Sequence, residues 1–96
     1  MKTGYVYLMS NKSLTSLYVG VTNNIQRRVW EHKQGESNFT SRYNLYYLMH
    51  YEAIWGMSNS IRREKQLKRW HKEWKWNLIR ETNPNFMDLA EDWYEA

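Results

Sequence analysis

The stretch Tyr18 to His32 limits what this chain can become more than any other. Tyr18-Val19-Gly20 reads as the end of a short strand, and Thr22-Asn23-Asn24 is a polar turn rich in N-cap residues. A helix follows from about Asn24 to Lys33, with Ile25 and Val29 marking its inward face. At about 100° per residue, Arg28 and His32 fall within about 60° of Ile25, while Arg27 falls on the opposite side. A cation and an imidazole on the packing side of a helix need polar groups to meet them.

The rest of the chain supplies candidates. Thr3 to Ser10 predicts a strand with Tyr5, Tyr7 and Met9 on one face and Val6 and Leu8 on the other. With Asn11 to Leu14 as the hairpin loop, a second strand runs from Ser16 to Val21. Tyr7 then stands opposite Tyr18 and Tyr5 opposite Gly20. Taken alone, the two phenols read more readily as a cross-strand aromatic pair in a core. Gly35 ends the helix, and Gly35 to Asn44 is a polar loop with Phe39 and Tyr43 as its anchors. Leu45 to Ile54 predicts a third strand whose weak alternation suits a central or doubly covered position. Ser58 or Ser60 can cap a second long helix running to about Trp70 or beyond. A third helical pattern spans Glu73 to Glu81 and stops at Asn83-Pro84. Asp88 to Glu95 adds a final turn, with Leu89 and Trp93 folding back.

In the second long helix Glu64 lies inside the apolar arc that contains Ile61, Met57 and Leu67. It reads either as half of an exposed Glu64–Lys68 pair or as a partly buried carboxylate that needs a cation or a metal. The arc favours the second reading.

A chain of 96 residues suffices for one domain with a modest core, and six Trp, eight Tyr and two Phe raise the area buried per residue. With no cysteine there is no disulfide framework and no cysteine-ligated zinc. No apolar run approaches the roughly 20 residues of a membrane span, and no hydrophobic signal region is present. The expectation is a soluble cytoplasmic protein. Net charge is +4, and half of the Lys and Arg residues fall between Arg62 and Lys75. Beyond Arg80 only acids remain: Glu81, Asp88, Glu91, Asp92 and Glu95. A basic middle suggests an anionic partner, although a solvated helix carries the same charge. Trp70, Trp74 and Trp76 accompany the basic run, and their shared arc favours core over base-stacking surfaces.

Tyr7, Tyr18, Arg28, His32 and Glu64 together offer phenols, a cation, a proton-transfer group and a metal-capable carboxylate. Phosphodiester cleavage needs those parts: a water must lose a proton, and negative charge grows on the phosphoryl oxygens.

On these residues the chain resembles the GIY-YIG nuclease superfamily. Its paired motifs correspond to Tyr5-Val6-Tyr7 and Tyr18-Val19-Gly20. Arg28 and His32 match the family's arginine and histidine, and Glu64, within Arg63-Glu64-Lys65, matches its metal-binding glutamate. Phe39-Thr40, Tyr51-Glu52, Gln66-Leu67-Lys68 and Asn83-Pro84 resemble the small single-domain bacterial branch. The first motif departs from Gly-Ile-Tyr, since Gly4 stands one position early. The resemblance implies an α+β fold of order β-β-α-β-α-α: a three-stranded, mainly antiparallel sheet flanked by helices. Residues 1–96 form one domain, with the acidic segment 81–96 packed on it. It implies a metal-dependent endonuclease acting on DNA rather than RNA, with one Mg²⁺ or Mn²⁺ at Glu64. Tyr7 is then a base or water-orienting phenol, Tyr18 supports nucleophile and phosphate, Arg28 stabilises the transition state, and His32 assists proton transfer or phosphate binding. Arg28 or the metal is expected to lower the Tyr7 pKa. Arg63, Lys65, Lys68, Arg69 and Lys72 are the expected nucleic-acid contacts. A monomer or weak dimer is expected, with room for a protein partner that supplies specificity. The competing expectation is a nucleic-acid-binding module of the same fold with little or no catalysis.

Overall fold

The computed structural model describes residues 2–94; Met1, Glu95, Ala96 and the side chain of Asn38 lie outside it. Glu95, the expected end of the final turn, therefore falls beyond the described residues, and so does the last part of the segment 81–96. Three strands, β1 (Thr3–Ser10), β2 (Leu17–Thr22) and β3 (Tyr47–Trp55), form one sheet in the order β2-β1-β3. Both pairings are antiparallel. The helices are α1 (Ile25–Lys33), α2 (Asn38–Arg42), α3 (Met57–Arg69) and α4 (Lys72–Thr82). The fold is α+β, as the resemblance implies, but β1 rather than β3 is central. The weak alternation in β3 reflects the doubly covered alternative: Leu48 and Met49 are buried on opposite faces, with His50 also buried, beside a bulge in the β1–β3 register, and beyond them β3 alternates.

The hairpin register differs from the expected one by two residues. Ser10 pairs with Leu17, Tyr7 with Gly20 and Met9 with Tyr18, so the connection is Asn11–Ser16. Asn11 is the cause. Its Oδ1 accepts from the backbone N–H of Thr15 at 2.9 Å and of Ser16 at 3.1 Å, which draws both residues into the loop. Leu14 adopts a left-handed φ of 58° in the same turn. A shift of two preserves which face each residue occupies. Tyr5, Tyr7, Met9 and Tyr18 remain on one side.

That side is covered by α1. Tyr7, Met9, Ile25, Val29, Leu45, Leu48 and Ala90 form its buried cluster. The opposite face carries Val6, Leu8, Val19, Met49, Leu67 and Ile79, beneath α3 and α4. The helix α3 begins earlier than expected. Gly56, at φ 87°, precedes Met57, and Ser60 hydrogen-bonds back to the Gly56 carbonyl at 2.9 Å instead of capping. A Cβ on Gly4 would lie 2.1 Å from Ser60 Oγ, so α3 rests directly on β1. Trp70 and His71 turn extended and separate α3 from α4.

The segment expected as a plain loop contains α2, and its anchors differ from those expected. Thr40 and Leu45 are fully buried, whereas Phe39 and Tyr43 are 52% and 46% exposed. Among the described residues no helix is long and apolar enough to cross a membrane.

Candidate active site

Asn24 caps α1, its side chain accepting from the Arg27 N–H at 3.1 Å. That start sets the helix rotation. Arg27 points to solvent, with 69% of its side chain exposed against 33% for Arg28, and His32 is fully buried. Below α1 the phenol of Tyr7 extends into space that only a glycine could leave. A Cβ on Gly20 would lie 2.4 Å from Tyr7 Oη and 2.9 Å from a Tyr18 ring carbon. The two tyrosine rings are diagonal across the hairpin, 6.2 Å apart and tilted by 48°. His32 packs against both, with centroid separations of 5.5 Å and 5.4 Å.

The polar contacts form a chain. Tyr7 Oη lies 2.8 Å from His32 Nε2, and His32 Nδ1 lies 2.8 Å from Thr40 Oγ1. The Thr40 hydroxyl donates to the Ser37 carbonyl at 3.4 Å, so its oxygen is free to accept. We therefore assign the Nδ1–H tautomer, in which Nε2 accepts from the Tyr7 phenol. Burial, reinforced by Arg28, pushes the His32 pKa down to about 4, so the ring is neutral at pH 7. Burial also raises the Tyr7 pKa, with Tyr18 adding to the effect. Arg28 lowers it, but by less than burial raises it. Arg28 thus acts in the expected direction, but desolvation outweighs this one partly covered cation and the net shift is upward. Arg28 itself is steered by Glu31, which accepts from Nη1 at 2.9 Å.

The structure brings Tyr7, Tyr18, Arg28 and His32 together. Glu64 comes from a different element, α3. It lies on α3 between Ser60 and Leu67, one turn from each, and both are buried on the face opposite Tyr7. Its side chain is 13% exposed and pairs with Lys68 at 2.9 Å, so features of both sequence readings coexist: the i,i+4 pair forms, and the carboxylate is mostly covered. Among the described residues, no hydrogen bond or ion pair links Glu64 to the four residues around Tyr7. No group of three or more His, Cys, Asp or Glu residues there could hold a metal. A lone hard carboxylate in a fixed helix seam still fits an ion such as Mg²⁺, which takes one or two protein oxygens and keeps its waters. Lys68 would have to turn aside.

The expected nucleic-acid contacts divide. Arg63 is committed to the fold: Nε and Nη2 donate to Glu52 at 2.9 Å and 3.0 Å, and its guanidinium lies over Trp70 at 5.2 Å. Lys68 is held by Glu64, and Lys72 donates to the Thr15 carbonyl. Lys65 and Arg69 line a groove of about 580 Å³ beside Ile54, together with Arg62 and Trp70. Trp70 and Trp76 pack against the core as expected, while Trp74 is exposed.

Two contributors to the site, Thr40 and Glu31, and one contact of the fold, that of His50, were not evident from the pattern of residues. Thr40, which orients His32, sits in the five-residue helix α2, too short for a periodicity that would reveal its burial. Glu31 carried only the weak signal of an acid three residues after Arg28. His50 lies 2.9 Å from Glu52, and its inward alternation in β3 with Glu52 was the available clue.

A family model for the GIY-YIG catalytic domain matches residues 3–77. The chain is 34% identical over 89 residues to a UPF0213 protein of Syntrophus aciditrophicus, covering 91% of this chain and all of the relative. A UPF0213 protein of Haloquadratum walsbyi is 35% identical, with 80% of this chain and 86% of the relative covered. One of Staphylococcus haemolyticus is 30% identical, with 84% and 99% covered. No solved structure matches the chain.

Proposed function

The chain belongs to the GIY-YIG catalytic domain family, and from that premise we propose that it is an endonuclease that hydrolyses phosphodiester bonds in DNA. The observation that carries the reading is the Tyr7–His32–Thr40 chain lying beneath Arg28 at the gap left by Gly20. In hydrolysis the water oxygen bonds to phosphorus, the bond to the leaving oxygen breaks, and the water gives up a proton. Tyr7 is suited to take that proton while passing its own to His32 Nε2, so that neither a free phenolate nor an exposed imidazole is required. His32 is fully buried with both nitrogens engaged, which favours proton transfer over phosphate binding. Thr40 holds the tautomer in which Nε2 can receive. Arg28, at the mouth, meets the charge that grows on the phosphoryl oxygens, and Tyr18 positions the phosphate beside it.

Glu64 is the residue that would hold one divalent ion, Mg²⁺ or Mn²⁺. Such an ion, when bound, neutralises phosphate charge and stabilises the leaving oxygen. Lys65 and Arg69, with Arg62, are the best placed of the basic residues to follow the DNA backbone. The working compartment is the cytoplasm in this reading.

The Lys68 ammonium paired with the Glu64 carboxylate, where an ion would otherwise bind, favours a second reading, a module that binds nucleic acid and cuts it little. One experiment separates the two. Single-stranded, duplex and branched DNA are incubated with the purified chain and Mg²⁺ or Mn²⁺. Cleavage should fall about 10²–10³-fold in Arg28→Ala and about 10²–10⁴-fold in His32→Ala, and it should vanish in Glu64→Ala. Binding without cleavage in the parent chain supports the module. Cleavage that survives Glu64→Ala refutes the site.

A further inference from the structure

Phe39 and Tyr43 were expected to anchor a loop, yet they stand out from it. They are 52% and 46% exposed, one on α2 and the other at its C-cap, while Thr40 and Leu45 beside them are buried. Their rings are 5.1 Å apart, and the Phe39 ring lies 5.7 Å from that of Tyr18. Three aromatic faces thus run outward from the proposed scissile site. Phe39 and Tyr43 also line a cavity of about 270 Å³ with Leu17, Lys72 and Lys75. The cavity is aromatic on one wall and cationic on the other. Lys72 already donates to the Thr15 carbonyl and is thereby fixed at the rim, and Lys75 is partly buried beside it.

Exposed aromatics are costly to leave uncovered in a small domain. A stacking surface with ammonium groups across a gap suits a nucleotide: a flat base on the rings and a phosphate toward the lysines. An acidic peptide would use the lysines but not the rings.

We infer that Phe39, Tyr43, Lys72 and Lys75 form a subsite for the nucleotide adjoining the phosphate held at Tyr18, gripping its base by stacking and its phosphate by charge. The inference rests on the nuclease reading for its position relative to the chemistry, though not for its existence. The adjoining base must leave its own stack to enter, so the subsite would also orient the strand at the point of cutting.

The test is binding in the absence of divalent ions, where no cleavage confuses it. A short DNA strand carrying 2-aminopurine, and a matched strand of abasic residues, are titrated with the intact chain. The base-bearing strand should bind about tenfold more tightly than the abasic one, with quenching of the 2-aminopurine. Phe39→Ala and Tyr43→Ala should each erase most of that ratio, and Tyr43→Phe should keep it. Lys75→Gln should weaken both strands alike and reduce the salt dependence. A ratio unchanged in both alanine variants, or absent from the parent chain, overturns the subsite. So does competition by polyglutamate as effective as that of the abasic strand. A parallel cleavage assay with Mg²⁺ keeps the two ideas apart: base discrimination without cleavage removes the nuclease reading alone, and cleavage without discrimination removes the subsite alone.

Discussion

At Gly20 a single methyl group decides whether Tyr7 keeps its place. A Cβ there would lie 2.4 Å from the phenol oxygen, and Tyr7 is itself buried and cannot retreat. Gly20→Ala should destabilise the fold by about 1–3 kcal/mol through overpacking, and cleavage should fall with it. Thermal unfolding and the cleavage assay check both. His32 makes a separate prediction. Its pKa in the folded chain is about 4, below the ordinary histidine value of 6.5, so between those values the unfolded chain binds more protons. Stability from this group is complete above pH 6.5 and is lost as pH falls toward 4, by roughly 3 kcal/mol in all. Urea unfolding across that range should show the loss, and His32→Gln should flatten it. An unchanged slope in the variant would place the titration elsewhere. Residues on a periodic element were legible at this scale: the helical wheel put Arg28 and His32 inward and Arg27 outward. Thr40 was not legible, because the five-residue helix that carries it is too short to show a repeat from which to read burial.

Between elements, the clasp of β3 to α3 is ionic. Glu52 of β3 takes two bonds from Arg63 of α3, and His50 lies within hydrogen-bond distance on the same face. These partners, His50 most and then Arg63, hold the Glu52 carboxyl down at about 2. A depressed carboxylate stabilises above its unfolded value of 4.5, and that contribution disappears as pH falls from 4.5 toward 2. Acid unfolding should therefore show a second loss below the His32 window, and Glu52→Gln should remove this lower one. The same variant should cost about 1–3 kcal/mol at pH 7, since it leaves Arg63 without its counter-charge in a partly covered site. Arg63 was expected at the nucleic acid, and the position of Glu52 on β3, facing α3, explains why it points inward. The elements themselves were largely legible, because periodicity and glycine placement mark them. Register was not, since it depended on how many residues Asn11 captures in its loop.

Across the whole molecule the sheet buries one cluster on each face. The face toward α1 holds Tyr7 and Tyr18, with His32 packed on them, and α3, the helix that bears Glu64, covers the other face with α4. Helix periodicity predicted the covered carboxylate, but which face of the sheet a helix covers is a property of connection and packing that no local pattern encodes. The tyrosine face is closed by a segment beyond the matched residues 3–77. Ala90 enters its core, Leu89 donates to the Leu48 carbonyl at 2.8 Å, and Asp88 joins two elements at once. One Asp88 oxygen accepts from the Leu48 N–H at 3.0 Å, and the other meets Lys33 of α1 at 2.5 Å. Both partners of that ion pair are mostly covered, with 21% and 11% of their side chains exposed. Asp88→Ala removes charge and acceptor together and should cost about 2–4 kcal/mol, below the full range for a buried pair because some water reaches it. Asp88→Asn can still accept from Leu48 and should cost less. Lys33→Met removes the charge from the other side, so in a double-mutant cycle with Asp88→Asn the coupling should be about 0.5–3 kcal/mol. Urea midpoints measure all three variants. If Asp88→Ala unfolds where the parent chain does, the segment merely lies against the sheet, and the tyrosine face is held shut by α1 alone.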